Sequence, residues 1–262
     1  MIQSINKTFS SLALAVVMFS GTVQASIVEF NTSHGSFKVN LHDKTTPLTV
    51  ANFLQYITSE RYNNTIIHRS ETNFVVQGGG FAFNDALPLK GIETFTSVKN
   101  EPVYSNVRGT IAMAKQANNP NSATSQWFVS LNDNSANLDV QNSGFTVFGE
   151  VIEDGMEVFD AIASLPRCNQ TPTESGFKID NVPVNNNEAT SCETPGADNF
   201  VTIYNVTVLN DDDNTDNTLN SVKNTLINKS PEPEKESDSS GGNMFWLLLL
   251  TPLALFQLKR KK

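Results

Sequence analysis

The stretch Ile66–Phe81, I-I-H-R-S-E-T-N-F-V-V-Q-G-G-G-F, constrains the rest of this chain more than any other. Two apolar, β-prone runs, Thr65–His68 and Phe74–Gln77, flank a short polar turn, which predicts strands. The second run ends in three glycines. Arg69, Phe74 and Gln77 can then face one groove and offer it a cation, a flat apolar wall and an amide. The stretch holds no nucleophile, no metal-ligand spacing and no phosphate cradle. Such groups suit a site that holds and twists a neutral peptide.

Short β-prone runs recur along the chain. Ile27–Asn31 and Ser36–Leu41 alternate about Ser33-His34-Gly35, the pattern of a hairpin. Gly109–Ala114, Ser125–Leu131, Phe145–Ile152 and Phe200–Leu209 read as further strands. Two stretches instead have helical period. Val50, Phe53, Leu54 and Ile57 form one apolar stripe, with Thr46 as N-cap and Pro47 at the first helical position. Val158, Phe159, Ile162 and Leu165 form another within Asp154–Leu165, which Asp154 caps and Pro166 ends. Strands dominate, without the strand–helix alternation of a parallel sheet. The prediction is a mainly β domain over residues 26–209: an eight-stranded closed antiparallel barrel, which leaves no edges, plugged by two helices.

The ends read differently. Lys7, the apolar run Phe9–Phe19 and the small-x-small site Val23-Gln24-Ala25 match a secretory signal peptide over residues 1–25, with Ser26 as the mature start. A membrane helix is the alternative, but the apolar run is near ten residues against the ~20 needed to span. Residues 210–240 are Asp, Asn, Ser, Pro and Glu with few apolar side chains, and read as a disordered spacer. Residues 241–262 carry Gly241-Gly242, the apolar Met244–Leu258 and Lys259-Arg260-Lys261-Lys262. The apolar part, about 15 residues, is marginal for spanning a bilayer, and the basic end would stay in the cytoplasm. This arrangement resembles the GlyGly-type sorting signal of some Gram-negative bacteria. That resemblance implies a rhomboid-like protease and passage to the cell surface. A plain inner-membrane anchor is the other reading, with the body in the periplasm.

Between Ser26 and Gly242 the chain keeps 13 of its 18 basic residues and all 27 acidic ones, a net charge of −14. That balance argues against nucleic acid and anionic membrane surfaces as partners. Two cysteines, Cys168 and Cys192, lie in the Asn-, Thr- and Pro-rich stretch 167–199, a long surface excursion. In an exported protein a single pair reads as a disulfide, closing a loop of ~25 residues and contributing about 3 kcal/mol. Two free thiols are the alternative.

The quoted residues resemble the cyclophilins, the cyclosporin-binding peptidyl-prolyl isomerases. Ile67-His68-Arg69 … Phe74-Val75-Val76-Gln77-Gly78-Gly79 is similar to that family's central motif. Met113-Ala114 … Ser125-Gln126-Trp127-Phe128 and Val147-Phe148-Gly149 resemble its later ones. The Ser122–Gln126 run looks like the bacterial periplasmic branch. The resemblance implies a monomer acting on proline-containing polypeptides with no cofactor and no metal. It implies Arg69 and Gln77 as catalytic residues, and Phe74, Val75, Ala114, Gln126, Phe128, Leu138 and Phe145 as the substrate pocket. Arg69 could otherwise be a surface ion pair with Glu71, and the phenylalanines plain core. Asn137 stands where many relatives have an aromatic residue, which implies poor cyclosporin sensitivity. Phe145 replaces a pocket histidine, and Asn73 a turn glycine whose left-handed φ Asn tolerates. The reading is an exported prolyl isomerase. A proline-peptide-binding module with weak catalysis and a structural surface protein are the alternatives.

Overall fold

A computed structural model describes residues 26–186, 190–210, 215 and 219–228. Eleven short strands form one sheet in which the pairs are antiparallel. Arg69–Ser70 stands at one end of the strand order, and Thr65–Ile66 near the other. Those two strands are only two residues apart in the chain, so the sheet must curl back on itself.

The curl does not close into the predicted eight-stranded barrel. As a ladder the sheet is open, with Lys90–Gly91 at its far edge. The spacing predicts one strand over residues 65–68, but the run 65–70 changes partners midway. Ile67 N–H donates to the Val201 carbonyl at 2.9 Å, and His68 N–H donates to the Gln77 carbonyl at 3.1 Å. A bent strand shared between two neighbours gives two short ladders where period-2 patterning shows one run. This partner switch aims Arg69 at Gln77 and the groove.

The hairpin forms as predicted, Ile27–Thr32 against Gly35–Leu41, with Phe30 opposite Phe37. Their rings stack 4.5 Å apart, and Trp127 meets Phe30 edge-on at 5.2 Å. Offset and edge contacts of this kind add to the area the rings bury. Helix Pro47–Thr58 lays Val50, Phe53 and Ile57 on this core, together with Tyr56, which the apolar stripe omits. Its N-terminal amides need acceptors. Thr46 is the N-cap but its side chain makes no capping bond. Glu101, distant in sequence, accepts from Leu48 N–H at 3.3 Å and Thr49 N–H at 2.9 Å. The second helix, Gly155–Ala163, buries Phe159 and Ile162 against the hairpin.

The excursion after Arg167 is partly core. Arg167–Cys168 pairs with Val182–Pro183, and Thr171–Pro172 with Lys178–Ile179. Cys168, Ile179, Val182 and Val184 join Ile66, Phe81, Leu89 and Phe200 in a second hydrophobic cluster. Cys168 and Cys192 form a disulfide with Cα atoms 5.4 Å apart.

Residues 219–228 fall within the predicted disordered spacer, yet they lie against the domain. Ser105 N–H donates to the Val222 carbonyl at 2.8 Å and Asn224 N–H to the Val103 carbonyl at 3.0 Å. The spacer's few apolar residues, Leu219, Val222, Leu226 and Ile227, all fall in this segment, but the polar stretches on either side masked them. The signal peptide, the GlyGly pair, Met244–Leu258 and the basic end lie outside the described residues. Among the described residues no helix is long and apolar enough to cross a membrane.

Candidate active site

Arg69–Ser70 pairs with Val75–Gly78 so that Arg69 sits opposite Gln77, and Gln77 in turn sits opposite Phe128 of Trp127–Ser130. Three predicted site residues are thus neighbours across two ladders. Arg69 Nη1 donates to Gln77 Oε1 at 3.3 Å, and Gln77 Nε2 donates to Gln126 Oε1 at 2.8 Å. One amide hydrogen of Gln77 is thereby used, leaving the second for another acceptor.

Arg69 also reaches Glu71, with Nη2 3.1 Å from Oε1, and its side chain is only 11 % exposed. The Glu71 ion pair and the site role were competing sequence readings of Arg69. The structure contains both contacts: Glu71 anchors one end of the guanidinium and Gln77 meets the other. Burial pushes the Arg69 pKa down, and the Glu71 carboxylate opposes that shift. Glu71 is itself held by Asn181 Nδ2 at 2.8 Å, while Asn181 O accepts from Ser70 N–H at 2.8 Å. Asn181 comes from the excursion more than a hundred residues on, and nothing near it in sequence marks it.

His68 is fully buried beside Arg69 and meets Phe81 edge-on at 5.0 Å. Burial, then the Arg69 charge, lowers its pKa to about 3. It is neutral at physiological pH.

Below the polar row lies an apolar cluster of Val75, Ala112, Ala114, Phe128, Leu138, Phe145 and Val147, with Phe74 and Tyr104 partly buried against it. It gathers the six predicted apolar pocket residues. Phe128 and Phe145 meet edge-on at 5.7 Å. Phe74 is fixed through its carbonyl, which accepts from Leu131 N–H at 2.8 Å and Asn134 Nδ2 at 2.9 Å. The turn before it survives the loss of glycine, since Asn73 adopts φ 56°. Gln77, Ala114 and Gln126 also line a groove of about 260 Å³, whose far wall is Glu174, Ser175 and Phe177 of the excursion.

Two of the three glycines have separate duties. At Gly79, φ is +76° and a Cβ would stand 2.6 Å from the Ser125 carbonyl; at Gly80 a Cβ would stand 2.8 Å from the Gln126 amide carbon. The backbone approaches Gln126 closely enough to hold that amide against Gln77.

One site residue lay outside the sequence reading. Lys115, directly after Met113-Ala114, is 4 % exposed; its Nζ donates to the Asn142 and Gly144 carbonyls at 2.9 and 2.6 Å and lies 4.7 Å from the Phe145 ring centre. Burial lowers its pKa to about 7. Its place beside the motif was the available signal, though a lone lysine rarely indicates a buried contact.

The domain thus carries a guanidinium–amide row beside a cluster of buried apolar side chains. The family model for cyclophilin type peptidyl-prolyl cis-trans isomerase/CLD matches residues 27–184. The chain belongs to this family, and the activity is that of a peptidyl-prolyl cis-trans isomerase. It is 41 % identical over 144 residues to the peptidyl-prolyl cis-trans isomerase of Acinetobacter baylyi, covering 54 % of this chain and 73 % of that one. Identity to peptidyl-prolyl cis-trans isomerase A of Dickeya dadantii is 39 % over 172 residues, 64 % of this chain and 86 % of the relative. For peptidyl-prolyl cis-trans isomerase B of Escherichia coli it is 42 % over 143 residues, 52 % and 83 %.

Proposed function

We propose that this chain accelerates X-Pro rotation in exported polypeptides, with Arg69 as the catalytic residue. Amide resonance sets the barrier to that rotation at ~18–20 kcal/mol. Twisting the bond breaks resonance, and the nitrogen becomes pyramidal and regains a lone pair. A guanidinium beside it donates to that lone pair only in the twisted state. Such an interaction is stronger in the transition state than in the ground state, which is the requirement for catalysis. Arg suits the role because it stays charged and presents rigid donors. Proline's ring sits in the slot of Phe74, Val75, Ala114, Phe128, Leu138 and Phe145, while Gln77 donates its remaining amide hydrogen to the substrate carbonyl. No cofactor, metal or proton transfer is required.

The observation carrying this reading is the Arg69–Gln77–Gln126 row, anchored by Glu71, above the apolar cluster. The test is a protease-coupled assay on a proline peptide. Arg69→Ala should lower kcat/KM by about two orders of magnitude, the cost of removing one preorganised donor from a reacting centre. Unaltered turnover by folded Arg69→Ala would remove the mechanism.

Export is part of the proposal. The Cys168–Cys192 disulfide suits an oxidising compartment. Ser26, the proposed mature start, supports it too. Its backbone N–H lies 2.7 Å from Asp43 Oδ2, both residues being buried. Cleavage after Ala25 would make that nitrogen an ammonium facing a carboxylate, the pairing a buried charge needs. The chain would work as a monomer in the periplasm or at the cell surface, with residues 241–262 as a sorting signal read by a rhomboid-like protease or as an anchor. Intact mass of the mature protein, with and without reductant, tests both ends and the disulfide. A mass retaining residues 1–25 sinks the export reading.

A further inference from the structure

Leu138 and Phe145 are opposite ends of one loop, closed by Phe145 N–H donating to the Leu138 carbonyl at 2.9 Å. Between them Asn142, Ser143 and Gly144 all have positive φ, of 49°, 64° and 70°. Two successive non-glycine residues in that region are costly and persist only where surroundings over-determine them. Three sets of contacts lie within the domain: Lys115 holds the Asn142 and Gly144 carbonyls, Asn100 Nδ2 the Ser143 and Gly144 carbonyls, and Asn142 Nδ2 donates to the Gln116 carbonyl at 2.9 Å.

The fourth comes from residues 219–228, beyond residue 184, where the family match ends. Lys223 bridges Tyr104 in antiparallel pairing, and its Nζ lies 5.2 Å from the Tyr104 ring centre. This pairing delivers Asn224 to the loop. Asn224 Nδ2 donates to the Asp139 carbonyl at 3.1 Å, while its Oδ1 accepts from Leu226 and Ile227 N–H at 2.9 and 3.0 Å. The turn so formed sets Ile227 against Gly144, where a Cβ would stand 2.9 Å from Ile227 Cδ1. Asp139 passes the constraint on. Its buried carboxylate accepts from Asn106 N–H at 2.8 Å and Asn106 Nδ2 at 2.9 Å, and Asn106 Nδ2 also reaches the Phe145 carbonyl at 3.3 Å.

We propose that Asn224 is a positioning residue for the proline slot: the strap 219–228 clamps the strained loop 139–144 and thereby sets the spacing of Leu138 and Phe145. Asn224 touches no substrate. It acts through Asp139, and its contribution is to substrate fit. This rests on the slot reading above, which Arg69→Ala checks separately.

The test uses the full chain and prolyl-isomerase kinetics, run well below the unfolding midpoint so that every variant is folded. Asn224→Ala should lower kcat/KM about tenfold, the scale of one lost hydrogen bond in a positioning network, with the loss mainly in KM. Asn224→Asp keeps the acceptor for Leu226 and Ile227 but offers no donor to Asp139, and should match Asn224→Ala. Ser221→Ala removes a strap contact to Glu150 away from the loop and should leave kcat/KM unchanged. Ile227→Ala, which spares the backbone pairing, gives a second reading if Asn224→Ala folds poorly, and should raise KM likewise. Wild-type KM in both Asn224→Ala and Ile227→Ala overturns the proposal. So does an equal KM change in Ser221→Ala, which would mean the strap only stabilises the domain. If Arg69→Ala is also silent, the slot reading has failed; if only the strap variants are silent, the strap reading alone has.

Discussion

Gly79 and Gly80 are adjacent, yet adding one methyl to each should have opposite consequences. In Gly80→Ala the new Cβ stands 2.8 Å from the Gln126 amide carbon and 2.9 Å from its nitrogen. These atoms end a flexible side chain, and φ at Gly80 lies outside the left-handed region, so Gln126 moves aside without displacing the backbone. Moving breaks the 2.8 Å bond to Gln77 Nε2. A lost neutral hydrogen bond is worth about 0.5–1.5 kcal/mol, and a buried donor left unpaired costs about 1–3. Gln77 then loses the contact that orients it toward Arg69. Taking ~1.4 kcal/mol per decade, kcat/KM should fall about tenfold, with a stability loss of about 1 kcal/mol read from urea unfolding. Gly79→Ala meets the Ser125 carbonyl at 2.6 Å and the Trp127 indole at 2.8 Å, with φ at +76°. Neither backbone nor indole can swing away, so stability should fall by about 3 kcal/mol. The pair of measurements is kcat/KM with a proline peptide and urea unfolding of both variants. Full activity in Gly80→Ala, or equal destabilisation by both, refutes the reasoning that the glycines hold Gln126 and the chain path respectively.

Two further outcomes are expected. His68 has its pKa lowered from 6.5 to about 3, so below pH 6.5 the unfolded chain binds a proton that the folded chain refuses. Its contribution to stability is complete above pH 6.5 and is lost as pH falls toward 3, by about 4 kcal/mol at the lower end. Urea unfolding across that window checks it; His68→Asn should flatten the slope, and an unchanged slope contradicts a buried neutral imidazole. Replacing Cys168 and Cys192 together by serine opens a loop whose ends are 24 residues apart, and should cost about 3 kcal/mol. Equal urea midpoints for the double variant and the parent, both non-reduced, would show that the bridge contributes nothing.

Sequence alone determined the parts governed by local chemistry. Alternation placed the hairpin, and helical period placed the two main helices, because burial on one face writes itself into spacing. Strand period put Arg69, Phe74 and Gln77 toward one groove, whereas Gln126 and Phe128 were named only through the resemblance to the cyclophilins. Tertiary structure decided whatever depends on a partner far along the chain. Only there does the run 65–70 divide between two neighbours and leave the sheet open where a closed barrel was predicted. Glu101 takes over the cap that Thr46 was to supply, and Asn181 steadies Glu71 from a hundred residues away. Residues 219–228 show the limit most plainly. Averaged over residues 210–240 the composition speaks for disorder, and the four apolar residues gathered in this segment gain meaning only when the fold brings residues 103–105 and Gly144 to them.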